Sequence, residues 1–154
     1  MRRRGRGSRI AAAGVAALAA LALTACGSSS LSSEQLRSAA TRLCSAASRR
    51  AALIPTPASP AGAAGFLNQG AAALSPELAG LRALHAPGDL AQVYATAVGA
   101  SSAELSAIQA AVRGLAAGDD EVITVKSLQQ QLAPMESEAN GAWQALQIPA
   151  CLNH

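Results

Sequence analysis

Residues 89–117 read DLAQVYATAVGASSAELSAIQAAVRGLAA, a long stretch with a helical apolar period. Apolar or small side chains recur along it every three or four residues, at Leu90, Tyr94, Ala97, Ser101, Leu105, Ile108, Val112 and Leu115. This spacing gathers them on one face of a helix, and that face must pack against an apolar partner. Gly118 is a suitable stop, because glycine accepts the left-handed conformation that ends many helices. The stretch predicts a long amphipathic helix in an all-α fold.

Two further helices are predicted before this stretch. The first starts at Ser32, because Ser32 and Gln35 have the spacing of a capping box, and it ends at the proline-rich residues 55–60. The second opens with Ser59 as its cap and Pro60 in its first turn. The predicted apolar stripes are Leu36, Ala39, Leu43, Ala46 and Leu53 in the first helix, and Leu67, Ala71, Leu74, Leu78, Leu81 and His85 in the second.

A fourth helix is predicted after Gly118. It starts at the acidic run Asp119-Asp120-Glu121, where the helix dipole favours negative charge. Its apolar stripe is Val122, Val125, Leu128, Leu132, Met135, Ala139, Ala142 and Leu146. Pro76 predicts a kink or a break in the second helix, and Pro134 predicts a bend in the fourth. The expected fold of residues 33–154 is an antiparallel four-helix bundle, up-down-up-down, with kinked helices 2 and 4.

The N-terminal segment has the layout of a secretory signal. Five arginines lie in residues 1–9, and the uncharged, mostly apolar residues 10–23 follow. The sequence Leu23-Thr24-Ala25-Cys26 closes this segment and resembles the lipobox of bacterial lipoproteins. The resemblance implies that residues 1–25 form a signal helix that is removed and that Cys26 carries lipid. An ordinary signal peptide cut after an alanine and an uncleaved anchor are the alternatives.

The lipobox resemblance also implies a location. A lipidated Cys26 would hold the protein on the extracytoplasmic face of the cell membrane, so the membrane is its first expected partner. Two or more acyl chains give stable anchoring, whereas one chain gives only marginal binding. The residues from Cys26 to Ser32, which include Gly27 and four serines, are expected to form a flexible tether.

Removal of the signal changes the charge of the protein. The whole chain has 12 basic and 9 acidic residues, a net charge of +3. Five of the basic residues lie in the signal, so the remainder has seven against nine acids and a net charge of −2. The basic character of the full chain is therefore no argument for nucleic-acid binding, and we predict none.

If Cys26 carries lipid, two of the three cysteines remain, Cys44 and Cys151. A secreted chain with two further cysteines is expected to join them in a disulfide. The predicted bundle permits this, because Cys44 lies on helix 1 and Cys151 follows helix 4, which are neighbours in an up-down order. A redox-active pair is the alternative, although no Cys-x-x-Cys motif supports it.

Two segments are similar to those of small, uncharacterised actinobacterial lipoproteins. They are the tail Trp143–Cys151, in which Leu146, Ile148 and Cys151 follow the last helix, and the turn region Leu81–Leu90. The resemblance implies a helical bundle closed by a disulfide. It implies no activity, because none is established for that group.

The sequence offers no recognisable catalytic set. A Ser-His-Asp site built on His85 and Asp89 would lack the Gly-x-Ser-x-Gly elbow. Di-metal sites in bundles need Glu-x-x-His pairs, which do not occur here. A capping role is therefore expected for His85, and we predict no catalytic residue, no metal and no cofactor.

The expected function is that of a non-enzymatic, membrane-anchored module that binds a protein partner or an apolar small ligand at the cell envelope. A structural or accessory subunit of an envelope complex and an enzyme with an unrecognised site remain alternatives. A sizeable apolar cavity near Pro76 and Pro134 would favour a small ligand. A solid core with an exposed apolar patch would favour a protein partner.

Overall fold

A computed structural model describes residues 30–152, so the predicted signal peptide, Cys26 and His154 lie outside the described residues. The described chain is all-helical and contains no β-strand, which confirms the predicted fold class. Its α-helices are α1 (Ser33–Ala51), α2 (Ala63–Arg82), α3 (Ala91–Ala116) and α4 (Glu121–Ala145). Two 3₁₀ turns complete it, Pro60–Gly62 before α2 and Pro149–Cys151, here called the C-terminal turn. None of the helices within residues 30–152 has the length and apolar character that a bilayer crossing needs.

Side-chain caps define the starts of two helices where the sequence predicted them. The Ser32 hydroxyl accepts from the Gln35 N–H at 3.2 Å, and the Gln35 side chain accepts from the Ser32 N–H at 2.8 Å. This reciprocal pair is the predicted capping box of α1. At α4, the Asp120 carboxylate accepts from the Ile123 N–H at 2.9 Å. Both caps satisfy donors that the first turn of a helix leaves without a partner.

The start of α2 differs in detail from its prediction. Ser59 precedes the helix as expected, but its side chain makes no capping hydrogen bond, and the first turn after Pro60 is 3₁₀. The helix is continuous through Pro76, which excludes the predicted alternative of a break there. α4 is likewise continuous through Pro134.

The helices pack in chain order, α1 on α2, α2 on α3 and α3 on α4. Within residues 30–152, Cα atoms of α1 come within 8 Å of the C-terminal turn but not of α4, although side chains of α1 and α4 belong to the same core. Trp143 and Tyr94 meet edge to face at 6.0 Å between ring centroids, and the Tyr94 hydroxyl donates to the Leu81 carbonyl at 2.7 Å. The main core comprises Leu36, Ala40, Cys44, Leu81, Tyr94, Ala97, Ala100, Ala139, Ala142, Trp143, Leu146, Ile148 and Cys151.

The buried stripe of α1 is rotated from the predicted one. The buried residues are Leu36, Ala40, Cys44 and Ala47, whereas Leu53 is 84% exposed. Leu53 lies beyond the last residue of the helix, Ala51, so the helical period no longer places it over the core. The small residues Ala40, Cys44 and Ala47 are the better guides, because α1 packs through them.

Left-handed residues end the two longest helices. Gly118, with φ of 98°, follows α3, and the Asp119 N–H returns to the Gly114 carbonyl at 3.0 Å. Gln147, with φ of 60°, follows α4, and the Ile148 N–H returns to the Trp143 carbonyl at 3.0 Å. Both are Schellman-type ends, and the first confirms the predicted stop at Gly118. The second turns the chain away from α4 towards α1.

Replacement of Gln147 by glycine is expected to stabilise the protein. A left-handed residue with a Cβ is disfavoured by roughly 1–2 kcal/mol, so Gln147→Gly should raise the free energy of unfolding by about 1 kcal/mol in urea denaturation. Gln130→Gly is the matched control, because Gln130 is exposed in the interior of α4. That control should lose about 1 kcal/mol. Equal losses for the two variants would contradict the left-handed end.

Candidate functional site

The Cys44 and Cys151 Sγ atoms lie at disulfide-bonding distance, with Cα atoms 5.1 Å apart. Cys44 is on α1 and Cys151 is in the C-terminal turn, so the predicted pair comes together without direct packing of α1 along α4. Beside the pair, the Arg37 Nε donates to the Leu146 carbonyl at 2.9 Å, which places a cation at the C-terminal end of α4. Both sulfurs are buried. The disulfide is therefore a structural element of the core.

Removal of the disulfide is expected to destabilise the domain strongly. The two cysteines are 107 residues apart in sequence. The chain-entropy treatment gives a loop of this size about 4.7 kcal/mol, and measured losses are typically about 2–5 kcal/mol. A Cys44→Ala/Cys151→Ala variant should show this loss in urea denaturation under oxidising conditions.

Reduction supplies the control for that experiment. Wild-type protein treated with a strong thiol reductant should unfold near the midpoint of the double variant, and the double variant should not respond to the reductant. A wild-type midpoint that matches the double variant under oxidising conditions would show that the bridge contributes nothing.

Next to the disulfide, carboxyl groups from three helices line a small cavity that is partly open to solvent, and one of them, Glu136, is exposed. Glu77 on α2 is only 7% exposed, and Glu104 on α3 is half-buried. They line a cavity of about 30 Å³ together with Glu136 and Asn140 of α4, a volume that suits about one water molecule. A carboxylate oxygen of Glu77 lies within 4.8 Å of the sulfurs of Cys44 and Cys151. This carboxyl cluster is the most unusual polar feature in the described core.

Burial changes the protonation of this cluster. Burial raises the pKa of Glu77 from 4.5 to about 7, with Arg50 opposing the rise and Glu104 adding to it. Burial also raises the pKa of Glu104 from 4.5 to about 7, and the neighbouring Glu136 adds to the rise. Low polarity disfavours the charged form of a carboxyl group, and a nearby negative charge has the same effect. Both groups therefore exchange protons close to neutral pH.

Glu77 and Glu104 were not predicted as site residues from the sequence. A signal was present: Glu77 lies three residues after Leu74 and four before Leu81, so it falls on the apolar stripe of its own helix. Glu104 lies four residues before the apolar Ile108. Charged residues on a buried helical face mark a polar site in the core.

The geometry offers little to a metal or to catalysis by His85. The two sulfurs close to Glu77 are joined to each other, and zinc requires deprotonated thiols as ligands. His85 is exposed, its carbonyl accepts the Leu31 N–H at 2.8 Å, and its side chain does not line the carboxyl cavity. The buried carboxyls thus lie apart from the one histidine within residues 30–152.

A second feature is an open apolar groove of about 960 Å³ between the start of α2 and the start of α4. Its walls include Phe66, which is 38% exposed, and Val122, which is 60% exposed. The other apolar side chains that line it are Pro57, Ala58, Pro60, Ala63, Leu67, Val125, Leu128 and Leu132. Neither Pro76 nor Pro134 contributes to it, so the large apolar concavity is not where a ligand cavity was expected. Here this feature is called the apolar groove.

Comparisons with protein-family models, with curated proteins and with solved structures find no match to this chain.

Proposed function

We propose that this protein is a lipid-anchored, non-enzymatic module on the extracytoplasmic face of the cell membrane, and that it binds a protein partner through the apolar groove. The observation that carries the proposal is the contrast between interior and surface. The small cavity has room for about one water, whereas the groove offers about 960 Å³ lined mainly by apolar side chains. Exposed apolar patches of this kind are typical of interaction sites.

The proposed arrangement of the bundle is up-down-up-down, with kinks at Pro76 and Pro134. Contacts between α1 and α2 support it at the first hairpin. The Leu31 N–H, just before α1, donates to the His85 carbonyl just after α2, and the Arg50 guanidinium near the end of α1 donates to the Ala73 carbonyl at 3.0 Å. Proline supports the kinks, since it removes one backbone donor and crowds the preceding turn.

The distance between the tether and the groove favours a protein partner over the bilayer. α1 has 19 residues and rises about 28 Å, and the groove residues begin just beyond its C-terminal end, at Thr56. The tether joins the opposite end, at Ser32. If Cys26 is lipidated, the groove lies about the length of α1 from the end of the domain that the tether holds. We therefore propose that the groove is occupied by a protein in the same compartment.

The anchor is tested by Cys26→Ser. Wild-type protein expressed in a bacterium that processes lipoproteins should fractionate with membranes and should begin at an acylated Cys26 in mass spectrometry. Cys26→Ser should lose the acyl mass and the processing at residue 26, because the thiol that accepts the lipid is gone. A Cys44→Ala/Cys151→Ala variant is the control and should remain acylated. An unmodified wild-type Cys26 would contradict the anchor.

The groove is tested by photo-crosslinking in cells from a residue that lines it. A photoreactive amino acid at Gln129, which lines the groove, should give one adduct of defined mass. The same amino acid at Gln130, an exposed neighbour outside the groove, should not. Val122→Asp should abolish the Gln129 adduct, because it places a charge in the contact.

Leu53→Asp is the matched control for Val122→Asp, because Leu53 is 84% exposed and lies outside the groove. Both variants should unfold within about 0.5 kcal/mol of the wild type, as surface substitutions usually do. Equal crosslinking from Gln129 and Gln130, or an adduct that survives Val122→Asp, would contradict the groove as the interface. Displaceable binding of a fluorescent fatty acid, without any protein adduct, would support the small-ligand alternative instead.

A further inference from the structure

We propose that Glu77 and Glu104, packed around one cavity with Glu136, form a proton switch at the junction of α2, α3 and α4. In the protonated state the two buried carboxyls are neutral, and the junction is closed. When they ionise, the junction opens to water. The proposal concerns the stability of the junction and does not depend on the identity of any partner of the groove.

The position of the cluster makes its charge matter. Glu77, Glu104 and Glu136 come from three different helices and line the same cavity, so their mutual repulsion acts across both helix–helix interfaces. Glu77 is buried and Glu104 is half-buried, so ionisation costs both groups hydration that a cavity of about 30 Å³ replaces only in part. Opening of the junction restores that hydration and separates the charges.

Charged and polar groups on the elements around the cluster determine whether its carboxyl groups are protonated or ionised. α1 contributes Arg50, whose positive charge favours the ionised form of Glu77 but whose guanidinium also donates to the Ala73 carbonyl at 3.0 Å. α3 contributes Glu104, and α4 contributes Glu136 and the neutral Asn140. The C-terminal turn contributes Cys151, which does not titrate because it is joined to Cys44 of α1. Among these described groups, Arg50 favours the ionised form of Glu77, whereas Glu104 disfavours ionisation of Glu77 and Glu136 disfavours ionisation of Glu104.

The direction of the pH dependence follows from the pKa values. Glu77 and Glu104 have pKa values of about 7 in the folded protein, above the 4.5 of an unperturbed glutamate. The folded state therefore holds protons that the unfolded state releases between pH 4.5 and about 7, and its stability falls as pH rises through that window. Below pH 4.5 the contribution of the two groups is fully present, and above about pH 7 it is lost. This is the opposite of the usual behaviour of carboxylates in ion pairs.

Thermal unfolding of single glutamine variants tests the switch. Glutamine copies the neutral carboxyl, so Glu77→Gln and Glu104→Gln should each raise the Tm at pH 8 and leave it nearly unchanged at pH 5. The difference in Tm between pH 5 and pH 8 should shrink further in the double variant. Glu138→Gln, at an exposed position of α4, is the matched control and should not shrink it. A merely structural loss would lower the Tm equally at both pH values.

Two measurements on the unmodified protein decide the proposal even if a variant fails to fold. NMR titration of the glutamate side-chain carboxyl carbons should show two groups that titrate close to pH 7. Hydrogen exchange, corrected for its intrinsic pH dependence, should show weaker protection of α2 and α4 amides at pH 8 than at pH 5. Glutamates that all titrate near 4.5, or protection that is unchanged between the two pH values, would overturn the switch.

Discussion

The attachment of the C-terminal turn to α1 is the constraint on which the remainder of the structure depends. Cα atoms of α1 come within 8 Å of α2 and of the C-terminal turn but not of α4, so the C-terminal turn is where the end of the described chain approaches α1 most closely. The Cys44–Cys151 pair and the Arg37–Leu146 hydrogen bond fasten it there. Ile148 lies between Leu146 and Cys151 in sequence and is fully buried, so it adds apolar contact area to this part of the core. The chain is thereby closed from its first helix to its last turn.

Composition explains why such closure is needed. Alanine is the most frequent residue of the main core, and Tyr94 and Trp143 contribute its aromatic rings. A buried alanine removes less apolar area from water than a leucine or a phenylalanine, so each helix contact is weak. A covalent link across 107 residues restricts the unfolded chain and compensates for part of that weakness. The stability that this link adds also offsets part of the cost of burying a carboxyl group such as Glu77 beside it.

Local signals in the sequence predicted where the helices begin and end. How the helices pack depends on residues far apart in sequence, so local signals did not predict it. The capping box at Ser32, the acidic start at Asp120 and the stop at Gly118 act within a few residues of each other in sequence, and all three are present. The face of α1 that is buried depends on its neighbours: the predicted stripe was right at Leu36, which is buried, and wrong at Leu53, which is exposed. Position 147, which has a left-handed conformation, is a glutamine and not the glycine or asparagine that usually marks such a helix end. The turn towards α1 therefore had no local signal in the sequence.

The length of α1 connects the closed core to the apolar groove. α1 has 19 residues whereas α3 has 26, a difference of about 10 Å of helix. The proline-rich chain after α1 crosses towards the start of α4 and lines the groove there, in place of a further helical turn. Val122, 60% exposed, lines the groove beside that segment. The end of α1 at Ala51 therefore leaves room for the proline-rich segment and the apolar groove that this segment lines.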